Sequence, residues 1–68
     1  MQKVYQFEDP MVATVFSYYA IEKNGVYSTD YIDGSIGVTF TDDATPKEIK
    51  VVTGLAGFNG GKVVKQKV

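Results

Sequence analysis

The chain has 68 residues, a formal net charge of −1, and neither cysteine nor histidine. A domain of this length buries about 60% of the surface its unfolded form exposes, so one small core is expected, and such a core rarely holds more than about 3–5 kcal/mol of net stability. Disulfides are excluded, as are Ser/His/Asp and Cys/His mechanisms, and transition-metal sites lose their usual ligands.

The first element is expected at Lys3–Phe7, "KVYQF", a run of β-branched and aromatic residues that ends at acids before Pro10. "DPMVATVFSYYAIEKNG" follows and supports two readings. As a helix it has Asp9 at the N-cap, Pro10 at the first helical position, and Asn24 with Gly25 as a stop. On that wheel Met11, Val12, Val15, Phe16, Tyr19 and Ala20 share one half, and Thr14, Ser17 and Tyr18 the other. As a strand it is rich in β-formers, with "NG" as a hairpin signal. The coherent wheel and the paired caps favour the helix over residues 10–23, and the strand remains the alternative.

"VYSTDYI" and "SIGVTFT" flank Asp33-Gly34, the signature of a two-residue hairpin turn. In the second run Ile36, Val38 and Phe40 alternate with Gly37, Thr39 and Thr41, which predicts a half-buried strand. Thr45, Pro46 and Glu48 then spell a capping box at the start of a helix, with Asp42 and Asp43 just ahead of its positive end. Its expected inner half holds Ile49, Val51, Val52, Leu55, Ala56 and Phe58, and its outer half Lys50, Thr53, Gly54 and Gly57; since those two glycines weaken a helix interior, a strand from Glu48 to Thr53 followed by a second hairpin is the competing reading. "KVVKQKV", Lys62–Val68, is expected to be the last strand.

This order, β-α-β-β-α-β, predicts an α+β fold of the ferredoxin-like or split βαβ kind, in one small domain with an antiparallel sheet. The alternative is a mostly-β meander with one helix at about residues 46–58.

"GLAGFNGGK", Gly54–Lys62, invites comparison with a phosphate loop. A P-loop needs G-x-x-x-x-G-K-[ST] between a strand and a helix, so that the helix N-terminus faces the anion. Here Ala56 stands where the first glycine belongs, Val63 replaces the Ser or Thr, and the order runs helix, glycines, strand. Asn59 and Gly60 are instead expected to end the helix in a left-handed conformation. Asp30, Asp33, Asp42 and Asp43 lack the spacing of a calcium loop and read as turn and helix-start residues. No cofactor or metal is expected.

The candidate binding residues lie on the sheet. If Ile36, Val38 and Phe40 face the helices, Thr39 faces away, Tyr27, Thr29 and Tyr31 share one face of the preceding strand, and Lys65 and Lys67 share one face of the last. Were those faces to coincide, Tyr27, Tyr31, Thr39, Lys65 and Lys67 would form a platform suited to a protein partner or to single-stranded nucleic acid. Residues 1 to 61 carry four lysines against eight acids, residues 62 to 68 add three lysines, and there is no arginine. That balance ranks a protein partner, or self-association, above nucleic acid. Of Tyr18 and Tyr19 one is expected to be exposed and available as an interface anchor. The start "MQKVYQFEDP" has no apolar run to act as a signal peptide, and no stretch is long enough to span a membrane. A cytoplasmic protein is the resulting expectation.

Gly60–Lys65, "GGKVVK", is similar to the GGKIVK that closes small phycobilisome linker domains, which share a strand, helix, hairpin, helix, strand order. The resemblance covers six residues and implies an assembly role. This chain lacks the Val-Pro-Tyr approach to the second helix and the arginines of those domains. The overall expectation is a small non-enzymatic binding or assembly module acting through an exposed sheet face or edge, with a homo-oligomer as one form of it.

Overall fold

The structure, a computed structural model, describes residues 1–64. Its elements run β1 (Gln2–Gln6), α1 (Pro10–Ala20), β2 (Val26–Ile32), β3 (Ser35–Phe40), α2 (Pro46–Phe58) and β4 (Lys62–Val63). The fold is α+β: two helices and a four-stranded antiparallel sheet in the order β2-β3-β1-β4. β3 is thus inserted between β1 and β2, the strands that α1 connects.

The segment that also reads as strand is helical, and its cap explains how it starts. The Asp9 carboxylate accepts the Met11 N–H at 2.9 Å, and Pro10 takes a position where a missing N–H costs nothing. The helix stops earlier than Asn24, at Ala20 with Ile21 as its cap, and Gly25 turns the chain with φ of 86°. The hairpin turn is as expected: Asp33 and Gly34 have φ of 45° and 84°, the two positive values a type I′ turn requires.

α2 begins at the capping box read from sequence. Thr45 Oγ1 accepts the Glu48 N–H at 3.1 Å, and Glu48 Oε1 accepts the Thr45 N–H at 2.9 Å. It ends in a Schellman motif: the Gly61 N–H reaches the Ala56 carbonyl at 2.7 Å and the Gly60 N–H the Gly57 carbonyl at 3.0 Å. Gly60 supplies the left-handed residue, φ 79°, while Asn59 stays at φ −96°.

One core lies between the sheet and the helices. Ile36, Val38 and Phe40 face it from β3, as their alternation predicts, opposite Tyr5 of β1 and the following Phe7. Phe16 of α1 is fully buried against both, its ring 5.4 Å from Tyr5 edge-on and 5.0 Å from Phe7. The expected inner faces of the helices need correction. In α1 the buried residues are Ala13, Phe16 and Ala20, with Val12 packed beside them, whereas Met11, Val15 and Tyr19 are exposed. In α2 Val52 and Ala56 are buried and Ile49 and Leu55 partly so, but Val51 and Phe58 face outward. Thr53 turns inward instead, its hydroxyl 2.8 Å from that of Tyr5. α1 is apolar around most of its circumference, so its pattern alone does not choose a face. Packing does, by placing two alanines either side of Phe16, where close approach to the sheet leaves room for one large ring.

Candidate functional site

The register decides which side chains share a surface. Cross-strand partners point to the same side, so Gln2 with Thr39, Val4 with Gly37, Gln6 with Ser35 and with Lys62, and Asp30 with Gly37 lie on the open face. Tyr5 with Ile36, Thr29 with Val38, and Tyr31 with Ile36 lie on the helix-bearing face.

The tyrosine platform expected from sequence is therefore divided. A register shift between Val26 and Ser28 places an extra residue, Tyr27, in β2. A bulge of this kind puts two residues opposite one and reverses the alternation beyond it. Tyr27 is consequently beside Thr39 at an open cleft that Met1 and Asp42 also line, while Thr29 and Tyr31 turn to the helix side. The Ser17 hydroxyl of α1 confirms this for Thr29, donating to its Oγ1 at 2.9 Å. So Tyr27 and Thr39 come together, Tyr31 belongs to the other surface, and Lys65 and Lys67 lie outside the described residues. On the open face the only lysine among the described strand residues is Lys62, and the face also carries Asp30.

The larger concentration of exposed apolar side chains is on the helix side. α1, "PMVATVFSYYA", has no charged residue along its length. At 100° per residue Met11, Val15 and Tyr18 fall within about 60° of one another, directly opposite the buried Ala13, Phe16 and Ala20. Met11 is 77% exposed, Tyr18 74% and Val15 46%. Since Ser17 points to β2, the other flank, with Tyr19 at 54% exposure, points toward α2. On the β2 side Tyr31, 58% exposed, lies on the same helix-bearing face, two residues beyond the Thr29 that Ser17 contacts. Both Tyr18 and Tyr19 are thus exposed, where sequence reasoning expected one. The signal that could have found this stripe was the absence of any charge between Asp9 and Glu22.

Among the described residues no group of three or more acidic side chains could hold a metal ion, and no helix is long and apolar enough to cross a membrane. Burial raises the Tyr5 pKa above 10.0, against a smaller lowering from the Thr53 hydrogen bond. Its ring sits inside the core. Among the described residues, the depressions bounded by Gln6, Phe7, Glu8, Gly60 and Lys62 and by Lys23, Asn24, Glu48 and Val51 are open to solvent. Compared with known proteins, the chain matches no family model, no curated protein and no solved structure. The likeness of Gly60–Lys65 to phycobilisome linkers stays confined to those six residues.

Proposed function

We propose that this protein is a small non-enzymatic binding or assembly module, and that its contact surface is the outer face of α1 together with Tyr31 of the adjoining β2 edge. The observation that carries this reading is the exposure of Met11, Val15, Tyr18 and Tyr19 on a helix without a single charge. Solvent-facing helix surfaces normally carry charged residues, and an exposed apolar patch larger than a few hundred Å² marks an interaction site. Tyrosine is enriched at interfaces because it offers a large apolar body with a polar tip that tolerates water in the free state. The sheet surface expected from sequence gives way to the helix side because the bulge separates Tyr27 from Tyr31.

The test is site-specific photo-crosslinking in extract from the source cells, with a benzophenone side chain at Tyr18 or Tyr31 and, as controls, at Tyr27 and Lys50. The reading expects a discrete adduct from Tyr18 and Tyr31 and none from the controls. An adduct from Tyr27 alone would return the contact to the open sheet face. Fluorescence anisotropy with single-stranded oligonucleotides at low salt, where phosphate contacts are strongest, should show no binding, and saturable binding there would replace this reading with the nucleic-acid one.

A further inference from the structure

Resting on that surface, we infer that its occupant is a second copy of this chain: α1 packs against α1 in an antiparallel, two-fold symmetric pair with Val15 near the axis. Three observations carry the inference. The first is area. At their exposures Met11, Val15, Tyr18, Tyr19 and Tyr31 together present on the order of 600–700 Å², taking ~150–250 Å² for a whole aromatic side chain. Were all of it covered, two copies would bury at most about 1,200–1,400 Å², so the pairing reaches the ~1,000 Å² that a biological contact should clear only if the flanking Tyr19 and Tyr31 take part.

The second is shape. Met11 and Tyr18 stand seven positions apart, about 10 Å along the helix, and between them lie only the smaller Thr14 and Val15. In an antiparallel pair centred between positions 14 and 15, Met11 of one copy meets Tyr18 of the other at both ends, a thioether on an aromatic ring. The shorter side chains at the centre let the helices approach. A two-fold interface must be self-complementary in this way.

The third is charge. The acids Glu8 and Asp9 precede α1, and Lys23 follows it beside Glu22. A parallel pair would set Asp9 against Asp9 and align the helix dipoles, whereas the antiparallel pair opposes the dipoles and sets the acidic start of one helix beside the net-neutral Glu22–Lys23 end of the other. With no cation along the face, an anionic membrane has nothing to attract it.

Sedimentation velocity of the purified full chain from about 1 µM to about 200 µM tests this. The expected result is a monomer passing reversibly to a dimer, with Tyr18→Glu and Met11→Glu each weakening dimerisation by about 30-fold or more and Tyr27→Glu leaving it unchanged. Far-UV circular dichroism checks that each variant is folded. A second measurement does not depend on those substitutions: because the chain has no cysteine, Val15→Cys should give a disulfide-linked dimer under mild oxidation much faster than Tyr27→Cys.

A wild-type protein that stays monomeric, with Val15→Cys no faster than Tyr27→Cys, overturns the second-copy inference. If Tyr18 then still crosslinks to a different protein, the binding-module reading stands. A dimer broken by Tyr27→Glu and indifferent to Tyr18→Glu overturns both the pairing and the choice of surface.

Discussion

The four glycines from Gly54 to Gly61 look alike in sequence, and the structure assigns them opposite energetic signs. Gly54 and Gly57 lie inside α2, and a Cβ built on either meets nothing within 4 Å. Alanine at each should stabilise the helix by about 0.5–1 kcal/mol, through the backbone entropy glycine loses on folding. Gly60 also has open space but holds φ at 79°, so alanine there pays a left-handed penalty of about 1–2 kcal/mol. Gly61 is limited by contact. Its Cβ would lie 2.5 Å and 2.6 Å from two ring carbons of Phe7 and 3.0 Å from the Ala56 carbonyl oxygen. The Phe7 ring cannot swing away freely, because Phe16 packs on it at 5.0 Å. The Ala56 carbonyl is fixed as well, since it is the acceptor that closes the Schellman motif. Overpacking of this kind costs about 1–3 kcal/mol, a large part of what a domain this size has.

Urea unfolding followed by far-UV circular dichroism measures the series, at one protein concentration because association would shift the midpoint. With a slope near 1 kcal/mol per M for so small a chain, Gly54→Ala and Gly57→Ala should each raise the midpoint by about 0.5–1 M. Gly60→Ala and Gly61→Ala should lower it by about 1–3 M, with the slope unchanged. Destabilisation by Gly54→Ala, or no effect of Gly61→Ala, would refute the assignment of these glycines to helix interior and helix stop. It would reopen the question of whether the run approaches a ligand.

Two further outcomes follow from hydrogen bonds on α2. Thr45→Ala removes the acceptor for the Glu48 N–H and with it one half of the capping box; thermal unfolding should show a loss of about 1 kcal/mol, largely restored by Thr45→Ser. Tyr5 has a folded-state pKa raised above its ordinary value of 10.0, chiefly by burial, so the fold favours the protonated phenol. Its contribution is fully present below about pH 10 and is lost as pH rises through the folded pKa, where the unfolded chain has already released the proton. The urea midpoint of the wild type should therefore fall more steeply above about pH 10 than that of Tyr5→Phe, and equal slopes would remove Tyr5 as the cause. Below that pH Tyr5→Phe should cost about 0.5–1.5 kcal/mol for the lost bond to Thr53.

What could be read from the residues alone was whatever depends on neighbours a few positions away. The Asp9 cap with Pro10, the Thr45 and Glu48 box, the Asp33-Gly34 turn and the Gly60 stop all close their hydrogen bonds or dihedrals within about five residues, and each stands in the structure as the sequence implies. The β3 alternation was legible for the same reason, since a strand with one buried face repeats every second residue. What was not legible depends on distant volume. The bulge at Tyr27 arises where β2 is fitted to β3, and no local pattern in "VYSTDYI" announces it. The pairing of Tyr5 with Thr53 spans 48 positions and removes Thr53 from the polar side of its helix.

The rotation of α1 is the instance with functional weight. A helix chosen only to stabilise this monomer would place its largest apolar residues on the sheet, because burying a side chain of that size contributes about 1.5–3 kcal/mol. α1 does so only for Phe16, flanking it with buried Ala13 and Ala20 and leaving Met11, Tyr18 and Tyr19 outside. Places where local choice and folded packing disagree tend to be functional, and this disagreement runs along a whole helix face. The open side of the sheet exposes fewer large apolar side chains, chiefly Tyr27 and Ile32; Gly37 is covered by Ile32 and Gln2, and most of its neighbours are small or polar. The proposed binding surface is therefore placed on the helix layer, at the exposed apolar residues of α1.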